Sequence, residues 1–590
     1  MPTMHTINRL KTAPGWCLLS AALLAGCAGL QPRPAPLPPA KGDPTALTIT
    51  AEVALKHGDC RAAAEDYAQA ATVGDARLAR HATEVALACE HLPAAWSAAS
   101  RWRTLTPGDR DANALYALVA LKLYRTADAR AAVRDYCRAA LIEPAPEAGA
   151  SPGARRARPG HDQGVSALGD LISLLLEETD ASAVLSAMGA VPEPTASQPQ
   201  TLALFGELAL AAYDGKRAES FAQQALAHDP TDFPALRVLA RAYVLRGDAD
   251  HAIATAHTAV GVDGARGGLE LAEILASLDR IEESHQQLES LRGTAVPAAE
   301  IDRRLALLAL QSGDLKEAQQ RFAALLASGE GNEAAQLYLA DIAAREGDPE
   351  RAIAEYRRLY DSSVAVPARS RAAALLLERA ARTDSAHTEA LTLLDDYAAE
   401  HPEEELHLTL AKAHLLADHG EADAGLALLS TALERHPHHP SIEYDRAVIL
   451  DQAGHVHESV SALEQLLVQR PDDPSLQNAL GYTLADHSLE LPRAEGLIRR
   501  ALTAMPDNPA ALDSLGWVHF RRGDPRGAVG TLERAYSIDH DGEIAAHWGE
   551  ALWASGAQGE ARRVWAAALA REPESKPLKA TLERFIPDAK

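Results

Sequence analysis

Residues 506–539 read PDNPAALDSLGWVHFRRGDPRGAVGTLERAYSID. Leu512, Leu515 and Gly516, then Ala528, Leu532 and Ala535, recur at three-to-four spacing on either side of Gly523-Asp524. This predicts two amphipathic helices joined by a tight corner. Glycine there can take the left-handed conformation that ends the first helix, and the aspartate can cap the second. The same punctuation returns along the chain. Pro402, Pro437, Pro471 and Pro506 are separated by 35, 34 and 35 residues, and Gly313-Asp314 precedes Gly347-Asp348 by 34. Leu236, Ala240, Tyr243, Gly247, Ala252, Ala256 and Ala259 repeat the pattern of residues 512–535 upstream.

A period near 34 with small residues at these places resembles the tetratricopeptide repeat. Leu512, Leu515, Gly516, Gly523, Ala528, Leu532 and Ala535 fall at its positions 4, 7, 8, 15, 20, 24 and 27. Small side chains at 8, 20 and 27 let antiparallel helices approach to about 8–10 Å. One pair cannot bury its apolar stripe alone, so the expectation is an all-α superhelical solenoid. Roughly 13 to 15 pairs fit between residues 45 and 574, with weak matches at 165–190 and 267–292. Leu578 to Phe585 then reads as a capping helix. Residues 45–142 form an N-terminal set of repeats, 164–574 the main superhelix, and 575–590 the cap and tail. Between the two sets, residues 143–163 carry four prolines and three glycines and read as a flexible loop. Its Arg155, Arg156 and Arg158 either dock an acidic partner or simply face solvent.

Composition agrees. Of 590 residues 47% are hydrophobic and only 4% aromatic, which disfavours sandwiches and barrels. The net charge of −25 argues against nucleic acid as a partner and for proteins.

Arg9 and Lys11 precede an apolar run from Trp16 to Ala25, too short to span a bilayer but of signal-peptide length. The run ends Leu24-Ala25-Gly26-Cys27, which resembles the lipobox of bacterial lipoproteins. That resemblance implies removal of residues 1–26 and lipidation of Cys27. Ala28, where an aspartate would retain such a protein in the inner membrane, implies the outer membrane. Residues 27–44 hold six prolines and read as an extended tether.

No phosphate loop, nucleophile elbow, zinc-protease motif or dinucleotide fingerprint is found, so neither an enzyme nor a cofactor is expected. Nine histidines lie between His401 and His457, with His436, His438 and His439 at one repeat boundary. They read as turn residues, with no metal site expected, because cysteine and carboxylate are missing at ligand spacing. Cys60 opens the second helix of the first unit and Cys89 lies near the end of the first helix of the next. Those ends should be neighbours, so a disulfide is sterically reasonable; the alternative is buried free thiols, with Cys137 as the third.

Positions 2, 5, 9, 12 and 13 of each first helix lie opposite its core positions and should face the concave groove. They place Asn478, Tyr482, Asp513, Trp517, Phe520, Glu550 and Trp553 along one candidate protein-binding wall. The alternative is that these side chains pack between adjacent first helices. Paired lysines of a carboxylate clamp are missing from these positions.

Residues Asn478 to Asp486, Leu512 to Val518 and His547 to Trp553 resemble a family of outer-membrane lipoproteins with many tetratricopeptide repeats. The resemblance implies a non-enzymatic adaptor that gathers a periplasmic carboxyl-terminal processing protease and its peptidoglycan hydrolase substrates, held to the membrane by its lipid. A pilotin-like assembly factor for a secretin or envelope export machine is the alternative.

Overall fold

The computed structural model describes residues 43–141, 161–193, 195–329, 332–380, 384–436 and 439–586. Among these residues there are thirty-one α-helices and no strands, arranged as fifteen successive pairs and the single helix Lys576–Phe585. The expected all-α solenoid of helix pairs is therefore the observed fold. The lipobox with Cys27, the tether up to residue 42, His438 and residues 143–160 of the basic loop lie outside the described residues. Residues 161–163 of that loop open the helix His161–Glu178. No helix of the described residues is long and apolar enough to cross a membrane.

The corner chemistry is the one the sequence encodes. Gly58, Gly247, Gly313, Gly347, Gly420, Gly454, Gly523 and Gly556 all have φ between 73° and 98°. Asp59, Asp248, Asp314, Asp348 and Asp524 each accept a hydrogen bond from the backbone N–H three residues on, at 2.9–3.2 Å. Such caps contribute ~1 kcal/mol each. At the intervening corners the left-handed residue is Glu90, Tyr124, Tyr213, Asp279 or Ser488. These backbones are strained by roughly 1–2 kcal/mol without glycine, and they mark the repeats that punctuation alone does not reveal.

Packing follows from the small positions. Ala528 and Ala535 are fully buried. A methyl group at Gly516 would come within 2.5 Å of Leu532 Cγ, and one at Gly481 within 2.6 Å of Ile498 Cγ1, so these glycines set how closely the two helices of a pair approach. The most unequal pair is His161–Glu178 with Ala181–Met188, 18 and 8 residues long against 13 and 14 in Pro474–Asp486 with Leu491–Ala504.

The chain divides into two compact units, 43–242 and 243–586 among the described residues. At the start of the first, Tyr67 and Trp102 share an apolar cluster, and the Tyr67 hydroxyl donates to Glu52 at 2.5 Å. In the second, separate apolar clusters follow one another along the array.

Candidate functional site

Three consecutive first helices, Pro474–Asp486, Pro509–Arg521 and Gly542–Ser555, carry the seven residues expected to line a groove. The structure corrects that expectation: most of the seven are interior, and several of them join one repeat to the next. Asn478, Tyr482, Asp513, Trp517 and Glu550 are all less than a tenth exposed, and Phe520 and Trp553 are half-buried in apolar clusters. The reason is curvature. The Tyr482 hydroxyl donates to Glu543 Oε1 at 2.5 Å, reaching past the intervening first helix to the start of Gly542–Ser555. The inner face is wound so tightly here that groove positions become interior positions.

Polar and charged groups stand among the aromatics of that interior. His547 Nδ1 lies 3.0 Å from Asp513 Oδ1, and its ring stacks on Trp517 with centroids 4.0 Å apart. Burial opposes charge on His547, but the carboxylate of Asp513, helped by Glu543 and Glu550, outweighs it and raises the imidazole pKa to about 9. The pair is therefore a buried imidazolium–carboxylate, flanked by an aromatic face that also favours the cation. Trp517 Nε1 donates to Asp486 Oδ1 at 2.9 Å, and Arg521 reaches the same oxygen at 3.2 Å. Burial raises the Glu550 carboxyl, which accepts from Thr581 Oγ1 at 3.2 Å and pairs with Arg584 of the last helix. Of the seven residues, Asn478 has a buried atom, Oδ1, with no hydrogen-bond partner.

Trp553 stacks against Trp565 and packs on Phe585, with centroids 5.7 and 5.6 Å away. Lys576–Phe585 thus covers the last pair as a cap.

Histidine–carboxylate pairs between repeats were not anticipated. Besides His547–Asp513, His487 Nε2 lies 3.1 Å from Asp451 Oδ1, and His414 Nε2 3.4 Å from Asp445 Oδ2. The available signal was spacing: Asp513 and His547 are 34 residues apart. Of the other clustered histidines, His401 stacks on Tyr397 at 4.1 Å, and His419 Nδ1 is 2.7 Å from the Leu415 carbonyl. His436 and His439 have ring centroids 6.3 Å apart. Among the described residues no three histidine, cysteine or acidic side chains converge on a point where a metal could sit.

In the first unit, Cys60 begins the helix Cys60–Ala71 and Cys89 caps Ala76–Ala88. They are joined as a disulfide with their Cα atoms 5.3 Å apart. Cys137 is a buried free thiol, pushed up to about 11 by its burial.

A corner about every 34 residues, small residues at the helix crossings and packing mainly between neighbouring repeats define a helical-repeat solenoid, a class whose business is binding other proteins. Over part of the chain the repeat is the tetratricopeptide repeat: two tetratricopeptide models match, one over residues 303–369 and 478–543, the other over 209–265 and 416–481. The chain is similar to TPR repeat-containing protein PA4667 of Pseudomonas aeruginosa, 32% identical over 203 residues. That alignment covers 34% of this chain and 34% of the relative, about a third of its length. Among solved structures, TTC0263, a thermophilic TPR protein of Thermus thermophilus, is 23% identical, covering 29% of this chain and 94% of its own, with a TM-score of 0.27. The APC/C hetero-tetramer Cut9-Hcn1 is 14% identical, covering 92% of this chain and 96% of its own, with a TM-score of 0.28.

Proposed function

We propose that the chain is an LbcA-like adaptor, anchored by lipid to the outer membrane and facing the periplasm, that brings a carboxyl-terminal processing protease together with peptidoglycan hydrolases. One conjunction carries the reading: an apolar run ending Leu24-Ala25-Gly26-Cys27 stands before the fifteen helix pairs of the described residues. An array of this length offers an extended surface with room for two clients. Holding both on one scaffold raises their mutual effective concentration into the millimolar range without any chemistry of its own.

The test is reconstitution. The full-length chain in detergent is mixed with a purified periplasmic carboxyl-terminal processing protease and a cell-wall hydrolase. Faster degradation of the hydrolase in its presence, with no turnover by the chain alone, supports the adaptor. Unchanged proteolysis, or capture of a secretin subunit in place of the protease, overturns it.

A further inference from the structure

Within the 243–586 unit, the segment joining the last repeat to the capping helix touches repeats far earlier in the chain. Arg571, the last residue of helix Gln558–Arg571, pairs with Asp279, 292 positions before it. Arg345, the last residue of Glu333–Arg345, donates to the Arg571 carbonyl at 3.1 Å and to the Leu310 carbonyl at 3.5 Å. Lys576 Nζ donates at 2.6 Å to the carbonyl of Asp418, which ends Glu405–Asp418. A methyl group at Gly313 would lie 3.4 Å from the Ala570 carbonyl oxygen. Burial and the nearby Arg571 guanidinium hold His540 below the ordinary histidine range.

Two of the donors share one chemistry. Arg345 and Lys576 meet backbone carbonyls in the last turns of helices, where no intrahelical donor remains and the helix dipole favours a cation. The seam is also thin. The apolar clusters around Leu305, Phe322 and Leu429 on one side share no residue with the cluster around Trp565 and Leu578 on the other. Neighbouring repeats are held by apolar burial, whereas this seam is held by charged hydrogen bonds at partly exposed side chains, the kind of contact that salt weakens.

Asp279 is the informative residue. It occupies a repeat corner at φ 60°, the place where most corners put glycine. Its side chain is what Arg571 grips, so the strained residue supplies the carboxylate that glycine could not.

We propose that residues 570–576 form an electrostatic latch, with Asp279, Arg345 and Asp418 as its keepers, that holds the 243–586 superhelix closed on itself and opens to admit a protein client. The proposal stands whether or not the client is a protease.

Single-molecule energy transfer on the full-length chain tests it, with dyes on unnatural amino acids replacing the exposed Glu282 and Glu583. The parent should show one high-transfer population at low salt and a growing low-transfer population as salt rises. Asp279→Gly removes the keeper and relieves the left-handed backbone. It should raise the open-to-closed ratio about tenfold, the scale of one charged hydrogen bond, with thermal melting unchanged or higher. Arg571→Ala should open the unit likewise. High transfer persisting in both variants, no high-transfer population in the parent, or melting that falls together with transfer in both variants would each overturn the latch.

Discussion

His547 and Asp513 stand at equivalent places on consecutive first helices, imidazole Nδ1 to carboxylate Oδ1 at 3.0 Å, both shielded from water. Because the folded pKa of about 9 exceeds the ordinary 6.5, the protonated pair stabilises the fold. That contribution is fully present below pH 6.5 and is lost as pH rises through about 9. Unfolding of the C-terminal repeats should therefore move to lower temperature between pH 7 and 10. His547→Gln should remove most of this slope. A melting temperature independent of pH across that range in the parent would show that the pair does not carry a proton.

Breaking the same pair from one side leaves the other charge buried. Asp513→Asn should cost on the order of 3–5 kcal/mol in the C-terminal repeats, because the imidazolium would then be unpaired in the interior. Hydrogen exchange across residues 474–585 reads this loss locally, and exchange in the 43–242 unit should not change.

Trp517→Ala separates packing from binding. The ring is 5% exposed, stacks on His547 and Phe520, and donates to Asp486. Truncation should cost about 3–5 kcal/mol of stability. A variant that melts like the parent yet loses a client would restore Trp517 to a binding wall.

How far the sequence could be read depends on which residues punctuate it. Corners made by Gly-Asp pairs are legible because glycine relieves the left-handed backbone and aspartate caps the next helix. Corners at Asp279 and Ser488 carry no glycine, so nothing local distinguishes them from helix interior. The weak match at 267–292 is one of these, and the weak match at 165–190 comes from the short helix Ala181–Met188. The candidate wall failed for another reason. Repeat positions say which way a side chain points, but whether that direction is open or filled depends on the rotation between successive repeats. That rotation brings Tyr482 to Glu543 two repeats on, and no single repeat encodes it.

Gly516 offers a test of the packing rule. A methyl group there would meet Leu532 at 2.5 Å, inside a pair whose other close positions are already alanines. Gly516→Ala gains helix propensity but forces the two helices apart, and overpacking of this kind typically costs about 1–3 kcal/mol. Net destabilisation in a melting experiment is expected. A stabilised variant would mean the helices can separate freely.

The disulfide between Cys60 and Cys89 ties the first two repeats together across a separation of 29 residues. Terminal repeats of a solenoid have a neighbour on one side only, so they open at lower free energy than the middle of the array. Closing a loop of this length removes unfolded-state entropy worth ~3–4 kcal/mol in the chain-entropy model. Cys60→Ser with Cys89→Ser should therefore speed hydrogen exchange through residues 44–105 by about a hundredfold or more, since ~1.4 kcal/mol is a factor of ten. Residues 474–585 should exchange as before, because the bridge ties only the first two repeats. Equal deprotection of both ends would mean that the array unfolds as one cooperative body, and unchanged exchange at 44–105 would mean that the apolar contacts of Tyr67 and Trp102 already hold the first repeats without the bridge.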